Sequence, residues 1–291
     1  MFYKLFQKTN AIFYKTFGSK ISTQLATSSL GKIIFAVMFK GKGERVYTTD
    51  EGIQLKLDPN EAMYLGVALL GSYNQFETKV LKTILKPGDI VIDVGAYVGW
   101  YSLLSGKLVG QKGKVYAFEP SPTYLKRFID NIKLNNLRNI KTFNLAVSNK
   151  NSNVSFYQAG SGSSIIKQAA ELHIGKKIKQ IQVKSITLNT FVAKEKISRI
   201  NLIKIDVEGW ELQVLKGASN ILKKKNAPTL MVEVIDGQWK KWIPSTADAL
   251  FIYLKSFGYV PYIFTKTGLK IYKKEDTKRT LNLLFKKRIK N

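Results

Sequence analysis

The chain of 291 residues is strongly basic, with 47 Lys and Arg against 20 Asp and Glu and a formal net charge of +27. It contains no cysteine, which excludes disulfides, thiolate metal sites and a cysteine nucleophile, and so disfavours classical C5-pyrimidine methylation. The charge indicates an anionic partner, whether nucleic acid, anionic lipid or an acidic glycan. The length and a hydrophobic content of 45% favour one α/β domain with additions over two complete domains.

The first 45 residues form an aromatic and basic segment with eight Lys or Arg and a single acid, Glu44. Two interpretations are close to even, with the second slightly favoured: an amphipathic anchor lying on an anionic membrane, or a cap that packs its aromatic side chains on the core. The start lacks the order of segments that defines a signal peptide, and the apolar run Ile33–Phe39 is too short to span a bilayer. We therefore predict a cytoplasmic protein, and the anchor interpretation would add peripheral attachment to the inner membrane surface.

The sequence predicts three regions. Residues 1–60 form the basic aromatic extension and a small hairpin over Val46–Leu57, with its turn at Asp50–Gly52. Residues 61–272 form the main domain, and residues 273–291 form a basic C-terminal tail. Since the two ends of the chain carry more than half of the net charge, the centre of the main domain need not be basic.

The main domain is organised around a strand, a glycine turn and a helix between Asp89 and Val109. This is the opening unit of a doubly wound α/β domain, with a ligand site at the turn. Its D-x-G-x-x-x-G pattern differs from the dinucleotide pattern G-x-G-x-x-G, which occurs nowhere in the sequence. An acid beside a glycine turn suits the ammonium and carboxylate groups of S-adenosylmethionine, while a plain strand-to-helix turn is the alternative. The predicted cofactor contacts of this unit are Asp93, Gly95, Ala96, Tyr97 and Gly99.

A second strand, Lys114–Phe118, ends in Glu119 and Pro120. In this architecture the acid after the second strand accepts hydrogen bonds from ribose hydroxyls, so Glu119 indicates an adenosine ligand without choosing between cofactors. Pro122 can begin the helix that follows, because proline suits the first helical turn. Glu119 and Pro120 are therefore further predicted cofactor contacts.

A third strand is predicted over Ile140–Val147, after which the βα alternation stops between Asn151 and Ile186. Two short β-like runs there flank a loop of small residues, Gly160–Ser164. Loops of this kind often contact substrate, and a flexible connector has the same composition. The only histidine, His173, also lies in this insertion, where a surface position is favoured over a catalytic base.

The remaining strands end in acids. The run Asn201–Ile205 leads into Asp206 and Glu208, and a later strand contains Glu233 near its end. Around them the sequence predicts a helix over Leu212–Leu222, a strand over Thr229–Val234, a helix over Ala247–Phe257 and a hairpin of Tyr259–Phe264 with Leu269–Tyr272.

Together these motifs resemble the FkbM-type methyltransferases, in order and spacing, from about Gly71 to Val234. The matching segments are Val91–Ala96, Ala117–Pro120, Asn131–Asn136, Ala146–Ser148 and Ile205–Gly209. The resemblance implies a class I methyltransferase fold: a Rossmann-like α/β architecture with a seven-stranded sheet, parallel except for one strand, and helices on both faces. It also implies that S-adenosylmethionine binds over the first strands, and it adds Ala146 and Asp206 to the predicted cofactor contacts. The implied reaction is O-methylation, frequently of sugar hydroxyls in glycans or glycosylated metabolites.

The sequence departs from the family pattern at two positions. Tyr97 stands in the glycine turn where the family often has Asn, which leaves cofactor binding in place because the backbone of the turn matters most. Asn189 stands where an Asp commonly follows Thr-Leu, so the role of that acid does not carry over.

The predicted catalytic residues are Asp206, Glu208 and Glu233. Clustered carboxylates can serve as a general base, as hydrogen-bond acceptors for sugar hydroxyls, or as ligands of a divalent cation such as Mg²⁺. Substrate handling is favoured over the cation, and no metal ligand is predicted. The competing interpretation of Glu208 is an acid placed at a helix N-terminus, where the helix dipole favours it.

The predicted partners are a hydroxyl-bearing small molecule or glycan as the acceptor, and an anionic membrane surface bound by the basic termini. Three alternatives remain. An RNA or DNA methyltransferase agrees with the charge, but the sequence lacks an Asn/Asp-Pro-Pro-aromatic motif and its cations concentrate at the ends. An NAD-dependent oxidoreductase is disfavoured by the glycine spacing. A non-catalytic membrane-associated protein with the same fold would show no methyl transfer with any acceptor, and often no cofactor binding.

Overall fold

The computed structural model describes residues 43–58, 63–64, 66–67, 71–171, 178–235, 247–265, 268–273 and 281–288. The chain divides into two compact units, residues 1–78 and 79–291. The predicted anchor or cap over most of residues 1–45, and His173, lie outside the described residues. No helix within the described part of the chain is long and apolar enough to cross a membrane.

The first unit contains the predicted hairpin. Strand β1 (Arg45–Thr48) pairs antiparallel with β2 (Gln54–Leu57). The turn between them closes where the Gly52 N–H donates to the Thr49 carbonyl at 2.8 Å. One face of the hairpin is buried: Leu55 and Leu57 alternate with polar residues along β2, and Tyr47 is the buried residue of β1.

The elements after the hairpin alternate between helix and strand as far as Phe143, after which elements of one type also follow one another directly. They are α1 (Gln75–Ile84), β3 (Ile90–Val94), α2 (Trp100–Val109), β4 (Lys114–Phe118), α3 (Pro122–Leu134), β5 (Ile140–Phe143), β6 (Ala146–Val147), β7 (Ser152–Gln158), α4 (Lys167–Glu171), β8 (Lys179–Ile186), α5 (Leu188–Lys194), β9 (Leu202–Ile205), α6 (Glu211–Lys216), α7 (Ser219–Lys223), β10 (Thr229–Val234), α8 (Ala247–Ser256), β11 (Tyr259–Thr265), β12 (Gly268–Ile271) and β13 (Leu281–Lys287). Helix α3 begins at Pro122, as predicted, and its N-cap Ser121 accepts a hydrogen bond from the Tyr124 N–H.

The central sheet has the strand order β12-β11-β13-β10-β9-β3-β4-β5. Strands β10, β9, β3, β4 and β5 are parallel to one another, because the chain between them crosses over through helices. Strand β13 runs antiparallel to both β10 and β11. The seven strands from β5 to β11 therefore form the predicted class I methyltransferase sheet with one antiparallel strand. Strand β12 adds an eighth, antiparallel strand beside β11, which confirms the predicted hairpin.

The prediction that residues 273–291 form a tail outside the main domain is wrong for Leu281–Lys287. These residues form β13 in the interior of the sheet, and Leu283, Leu284 and Phe285 are fully buried. The largely apolar run from Leu281 to Phe285 is short and is followed by several cations. The high local charge therefore favoured a surface tail over a buried strand.

The predicted strand Ile140–Val147 is divided between two sheets. Its first half, β5, lies at the edge of the central sheet, whereas β6 pairs with β8 in a three-stranded sheet of order β6-β8-β7. Asn144, between the two halves, donates from its side chain to the carbonyls of Glu119 and Pro120 at 3.0 and 2.8 Å. These two bonds hold the chain at the end of β4 and separate the two pairings.

The predicted helix Leu212–Leu222 is likewise broken into α6 and α7. The Gly217 carbonyl accepts the Asn189 N–H at 2.9 Å, so it does not continue the helical ladder. The Asn189 side chain accepts the Asn220 N–H at 3.2 Å and contacts the Ser219 hydroxyl at 3.3 Å. The residue that departs from the family pattern at position 189 thus connects α5 to the start of α7.

Candidate active site

Four neighbouring strands of the second unit end at one edge of the central sheet, and each end carries an acidic residue. These acids are Asp93 in β3, Glu119 after β4, Asp206 and Glu208 after β9, and Glu233 in β10. Ligands of open α/β sheets bind at the carboxyl ends of the strands. The fold therefore gathers the predicted acids at the edge where a ligand binds.

The turn between β3 and α2 is tightly packed at both of its glycines. Gly95 and Gly99 have φ angles of 85° and 99°, which favour glycine. A Cβ at Gly95 would lie 1.8 Å from the carbonyl oxygen of Asp206, and a Cβ at Gly99 would lie 2.1 Å from the ring of Phe128. The N–H groups of Gly95 and Ala96 both donate to one carbonyl at the end of β4, at 3.1 and 3.0 Å. Both the conformation and the close packing require these two glycines.

Tyr97 completes the turn in a left-handed conformation, with φ 53°. Asn adopts this region more readily than Tyr, which agrees with the residue that the family often has here. The Tyr97 ring packs on Tyr124 with centroids 4.6 Å apart, and its N–H donates to Glu119 Oε2 at 2.8 Å. The backbone contact at this position does not depend on the side chain.

Glu119 is buried beneath the turn, with 5% of its surface exposed. Its two oxygens accept the N–H groups of Tyr97 and Ser121, each at 2.8 Å. Burial raises the pKa of Glu119 to about 8, although these two N–H groups oppose the shift. The carboxyl group ties the glycine turn to the start of α3, a role that its sequence position did not reveal.

Lys204 is a site residue that the sequence analysis did not assign. Its ammonium Nζ lies 3.2 Å from Asp206 Oδ2, 3.6 Å from Asp93 Oδ1 and 3.3 Å from the Gly95 carbonyl oxygen. Asp93 is 1% exposed, and its other oxygen accepts the Ser102 hydroxyl at 2.6 Å. Burial lowers the pKa of Lys204, but Asp206 and Asp93 raise it by more, so it stays protonated. The sequence did contain a signal for this residue, because Lys204 is a charged residue inside the otherwise apolar strand β9.

Two other predicted cofactor contacts flank this region. Pro120 follows Glu119, and its carbonyl accepts the Asn144 side chain at 2.8 Å. Ala146 is buried in β6, where it pairs with Ser185. Contact of either residue with a cofactor stays a prediction.

The predicted catalytic acids converge. Asp206, Glu208 and Glu233 each offer a carboxylate oxygen, and these oxygens lie within 4.8 Å of one another. The Ser164 hydroxyl donates to the Glu208 carbonyl at 3.0 Å, so the loop of small residues reaches this acid cluster. The arrangement can accept a proton, bind sugar hydroxyls or hold a divalent cation.

Two acids of this region have perturbed pKa values. Burial, followed by the charges of Asp206, Glu208 and Glu211, raises the pKa of Glu233 well above its usual value. Oε2 of Glu233 is buried and has no hydrogen-bond partner among the described residues. Burial also raises the pKa of Glu211 to about 8, but its Oε1 accepts the N–H groups of Val207 and Gly209 at 3.0 and 3.1 Å. Glu211 therefore closes the turn after β9.

Comparison with known proteins identifies the family. The model described as "Methyltransferase FkbM domain" matches residues 93–261. The chain belongs to the FkbM methyltransferase family. The match confirms the resemblance drawn from the motifs, and it spans the glycine turn, Glu119 and the acid cluster.

Two curated relatives of the chain are named as methyltransferases. The hexuronic acid methyltransferase AglP of Haloferax volcanii is 26% identical over 156 residues, covering 52% of this chain and 59% of the relative. Methyltransferase 1 of Beauveria bassiana is 27% identical over 148 residues, covering 45% of this chain and 59% of the relative. The chain thus spans 59% of the length of each.

Solved structures with a similar fold include M. jannaschii TYW2 in complex with AdoMet, which is 18% identical with a TM-score of 0.41 and covers 84% of this chain and 85% of that chain. Precorrin-6y C5,15-methyltransferase from Geobacter metallireducens is 12% identical with a TM-score of 0.42, covering 72% of this chain and 87% of that chain.

Proposed function

We propose that this protein is an S-adenosylmethionine-dependent O-methyltransferase whose acceptor is a sugar hydroxyl in a glycan or a glycosylated metabolite. The observation that carries the proposal is the cluster of Asp206, Glu208 and Glu233 at the same sheet edge as the glycine turn. Membership of the FkbM methyltransferase family supports the reaction class. The name of the relative AglP, a hexuronic acid methyltransferase, supports a sugar acceptor.

The cofactor fits the residues around the glycine turn. The turn is held by close packing of its two glycines on Asp206 and Phe128, and acids stand at the ends of β3 and β4. We assign the backbone of Gly95–Gly99, with Ala96 and Tyr97, to the cofactor, and Glu119 with Pro120 to its ribose side. When bound, S-adenosylmethionine supplies an activated methyl group. Asp93 and Asp206 brace the turn from below through Lys204.

The acid cluster binds the acceptor and takes up the proton of the reacting hydroxyl. A hydroxyl that becomes methylated must lose its proton, and a positioned base contributes roughly 10²–10⁴-fold to such a step. Burial and the neighbouring carboxylates raise the pKa of Glu233, which favours its protonated form, and in that form it donates a hydrogen bond to an acceptor oxygen. Glu208 then receives the proton of the reacting hydroxyl, while the ion pair with Lys204 occupies Asp206.

The test is methyl transfer from tritiated S-adenosylmethionine into fractionated lysate, with oligosaccharide and RNA pools separated before counting. We expect label in the oligosaccharide pool. Label confined to RNA would establish the nucleic-acid alternative, and no label in any pool, together with no cofactor binding, would favour the non-catalytic alternative.

The roles of the acids are tested with Glu208→Gln and Glu233→Gln, which keep the shape of each side chain and remove its carboxyl group. Both should retain S-adenosylmethionine affinity by calorimetry. Glu208→Gln should lower single-turnover transfer by roughly 10²–10⁴-fold as the base, whereas Glu233→Gln should mainly weaken acceptor binding. Parallel loss of cofactor affinity and transfer would contradict this division. Dialysis against a chelator should leave transfer unchanged, and activity restored by Mg²⁺ would instead make the cluster a metal site.

We also propose an anionic membrane surface as a second partner, at the cytoplasmic face. The basic ends of the chain suggested it, and the described residues add a groove at the opposite edge of the sheet from the acid cluster. Lys112, Lys114, Lys133 and Arg138 are exposed and line this groove. Lys114 begins β4 and Glu119 follows the end of that strand, so cations and acids lie at opposite edges.

A further inference from the structure

One buried cation lies between the glycine turn and the acid cluster. Lys204 is the third residue of β9, a central strand whose four residues are all buried. In the sheet register it lies opposite Asp93 of β3 and Met231 of β10. Its side chain is only 4% exposed. A buried ammonium is strongly unfavourable unless its charge is paired and its hydrogen-bond donors are used, so its partners reveal its role.

Those partners join segments that are far apart in sequence. The ammonium contacts Asp206 Oδ2 at 3.2 Å and the Gly95 carbonyl at 3.3 Å, with Asp93 Oδ1 at 3.6 Å. An ammonium has three donors, and three oxygens surround this one. The ring of Tyr101 lies 4.6 Å away and adds a cation–π contact.

We propose that Lys204 is a positioning residue that fixes the glycine turn to Asp206 and thereby sets the cofactor turn and the acid cluster in one arrangement. It acts through Gly95 and Asp206 and touches no reacting atom. The inference rests on the proposed function only in assigning the turn to the cofactor. Its test measures binding of S-adenosylhomocysteine and needs no acceptor.

The positive charge of Lys204, in addition to its volume, is needed for this role. Oδ1 of Asp93 has no hydrogen-bond partner among the described residues, and the ion pair with Lys204 is its compensation. Without the cation, the carboxylate of buried Asp93 and that of partly exposed Asp206 would lie close together with no positive charge between them, and like charges repel. Repulsion would displace Asp206, whose carbonyl lies where a Cβ of Gly95 would be. Movement of Asp206 therefore moves the turn.

This mechanism predicts a pH dependence that loss of packing alone would not give. In Lys204→Met, protonation of one of the two acids at low pH relieves the repulsion. Affinity for S-adenosylhomocysteine, relative to wild type at each pH, should therefore fall as the pH rises, by at least tenfold over the range of the titration. Adding Asp206→Asn removes one of the two charges, so the double variant should recover most of the affinity and lose the pH dependence.

The experiment is calorimetric titration of the full chain with S-adenosylhomocysteine from pH 6 to 9, with thermal unfolding of each variant as the check on folding. Lys141→Met is the matched control, because Lys141 is exposed and pairs with Glu195 at 2.7 Å away from the turn. It should bind like wild type throughout.

Folded Lys204→Met with wild-type affinity at every pH would overturn the inference and leave the proposed function intact. A double variant that binds no better than Lys204→Met would overturn it as well. If Lys204→Met alone does not fold, the double variant is compared with Asp206→Asn, and a double variant at least tenfold weaker than Asp206→Asn across the pH range would show that the charge balance is not the cause. A wild-type chain that does not bind S-adenosylhomocysteine would overturn both proposals.

Discussion

Glu119 shows how one side chain can serve both the fold and a ligand. Its oxygens accept the N–H groups of Tyr97 and Ser121, so Glu119→Ala removes the acceptor of one part-buried and one buried donor. An unsatisfied buried group costs about 1–3 kcal/mol. The variant should therefore lose stability of about this size.

We predict that Glu119→Ala weakens S-adenosylmethionine binding by about five- to a hundredfold, the equivalent of roughly 1–3 kcal/mol for two hydrogen bonds to the ribose. Calorimetry at 15 °C, with thermal unfolding alongside, separates the two effects. Glu211→Ala is the control, since it also removes a buried acid that accepts two N–H groups but lies after β9. Equal loss of affinity in both variants would mean that Glu119 acts only through stability.

The buried glutamates also make stability depend on pH. Burial raises the pKa of Glu119 and Glu211 from 4.5 to about 8. Between these values the folded chain holds protons that the unfolded chain has released, so the contribution is complete below pH 4.5 and is lost as the pH rises through 8. Urea unfolding should therefore show lower stability at pH 9 than at pH 6. Glu211→Gln should reduce the decline, and an unchanged slope would contradict the assignment.

At the scale of elements, sequence patterns predicted most strands and helices because buried parallel strands are continuous apolar runs. Strands β3 and β10 and helix α2 follow such runs directly. The failures arose where a side chain from elsewhere decided the outcome. Asn144 separates β5 from β6, and Asn189 takes the carbonyl of Gly217. No local pattern contains those contacts.

The residues of the candidate active site, like the elements, could be predicted only where a local pattern marks them. Acids at strand ends were visible because carboxyl ends of parallel strands meet at one edge. Lys204 was missed because its partners, Asp93 and Gly95, come from another strand and become neighbours only through the register of β3 with β9. The sequence alone predicts which residues lie at the carboxyl-end edge of the sheet, whereas the contacts between them depend on how the strands pair.

Strand β13 provides a test at the element scale. A chain that ends at Lys273 exposes the facing edges of β10 and β11 and loses the buried Leu283, Leu284 and Phe285. We predict that it is insoluble or unfolded by circular dichroism, whereas a chain that ends at Arg288 unfolds like wild type. A shorter chain with normal stability would restore the interpretation of this segment as a tail.

At the scale of the whole molecule, charge is distributed along the direction of the strands. The acids lie where β3, β4, β9 and β10 end, and the cations that line the groove lie where β4 and β5 begin. A molecule of net charge +27 can therefore keep an acidic centre while its opposite edge faces an anionic surface. Part of the charge also lies in the basic ends of the sequence.

The last prediction separates these two sources of charge. Near an anionic membrane each Lys or Arg contributes about 1 kcal/mol, and salt screens the effect within a Debye length. We predict that Lys112→Glu, Lys114→Glu and Arg138→Glu combined weaken binding to phosphatidylglycerol-containing vesicles at least tenfold. A second variant reverses Lys4, Lys8 and Lys15, and it should lose affinity as well. Sedimentation at 50 and 300 mM salt gives both the affinity and its salt dependence.

The matched control is Lys150→Glu, Lys179→Glu and Lys184→Glu, three exposed lysines whose reversal changes the net charge by the same amount. If binding responds only to net charge, the control will weaken as much as the groove variant, and the groove has no special role. If the groove faces the membrane, the control keeps most of its affinity because its lysines lie outside the groove. RNA that binds wild type more tightly than vesicles do, and that the groove variant no longer binds, would instead assign this edge to nucleic acid.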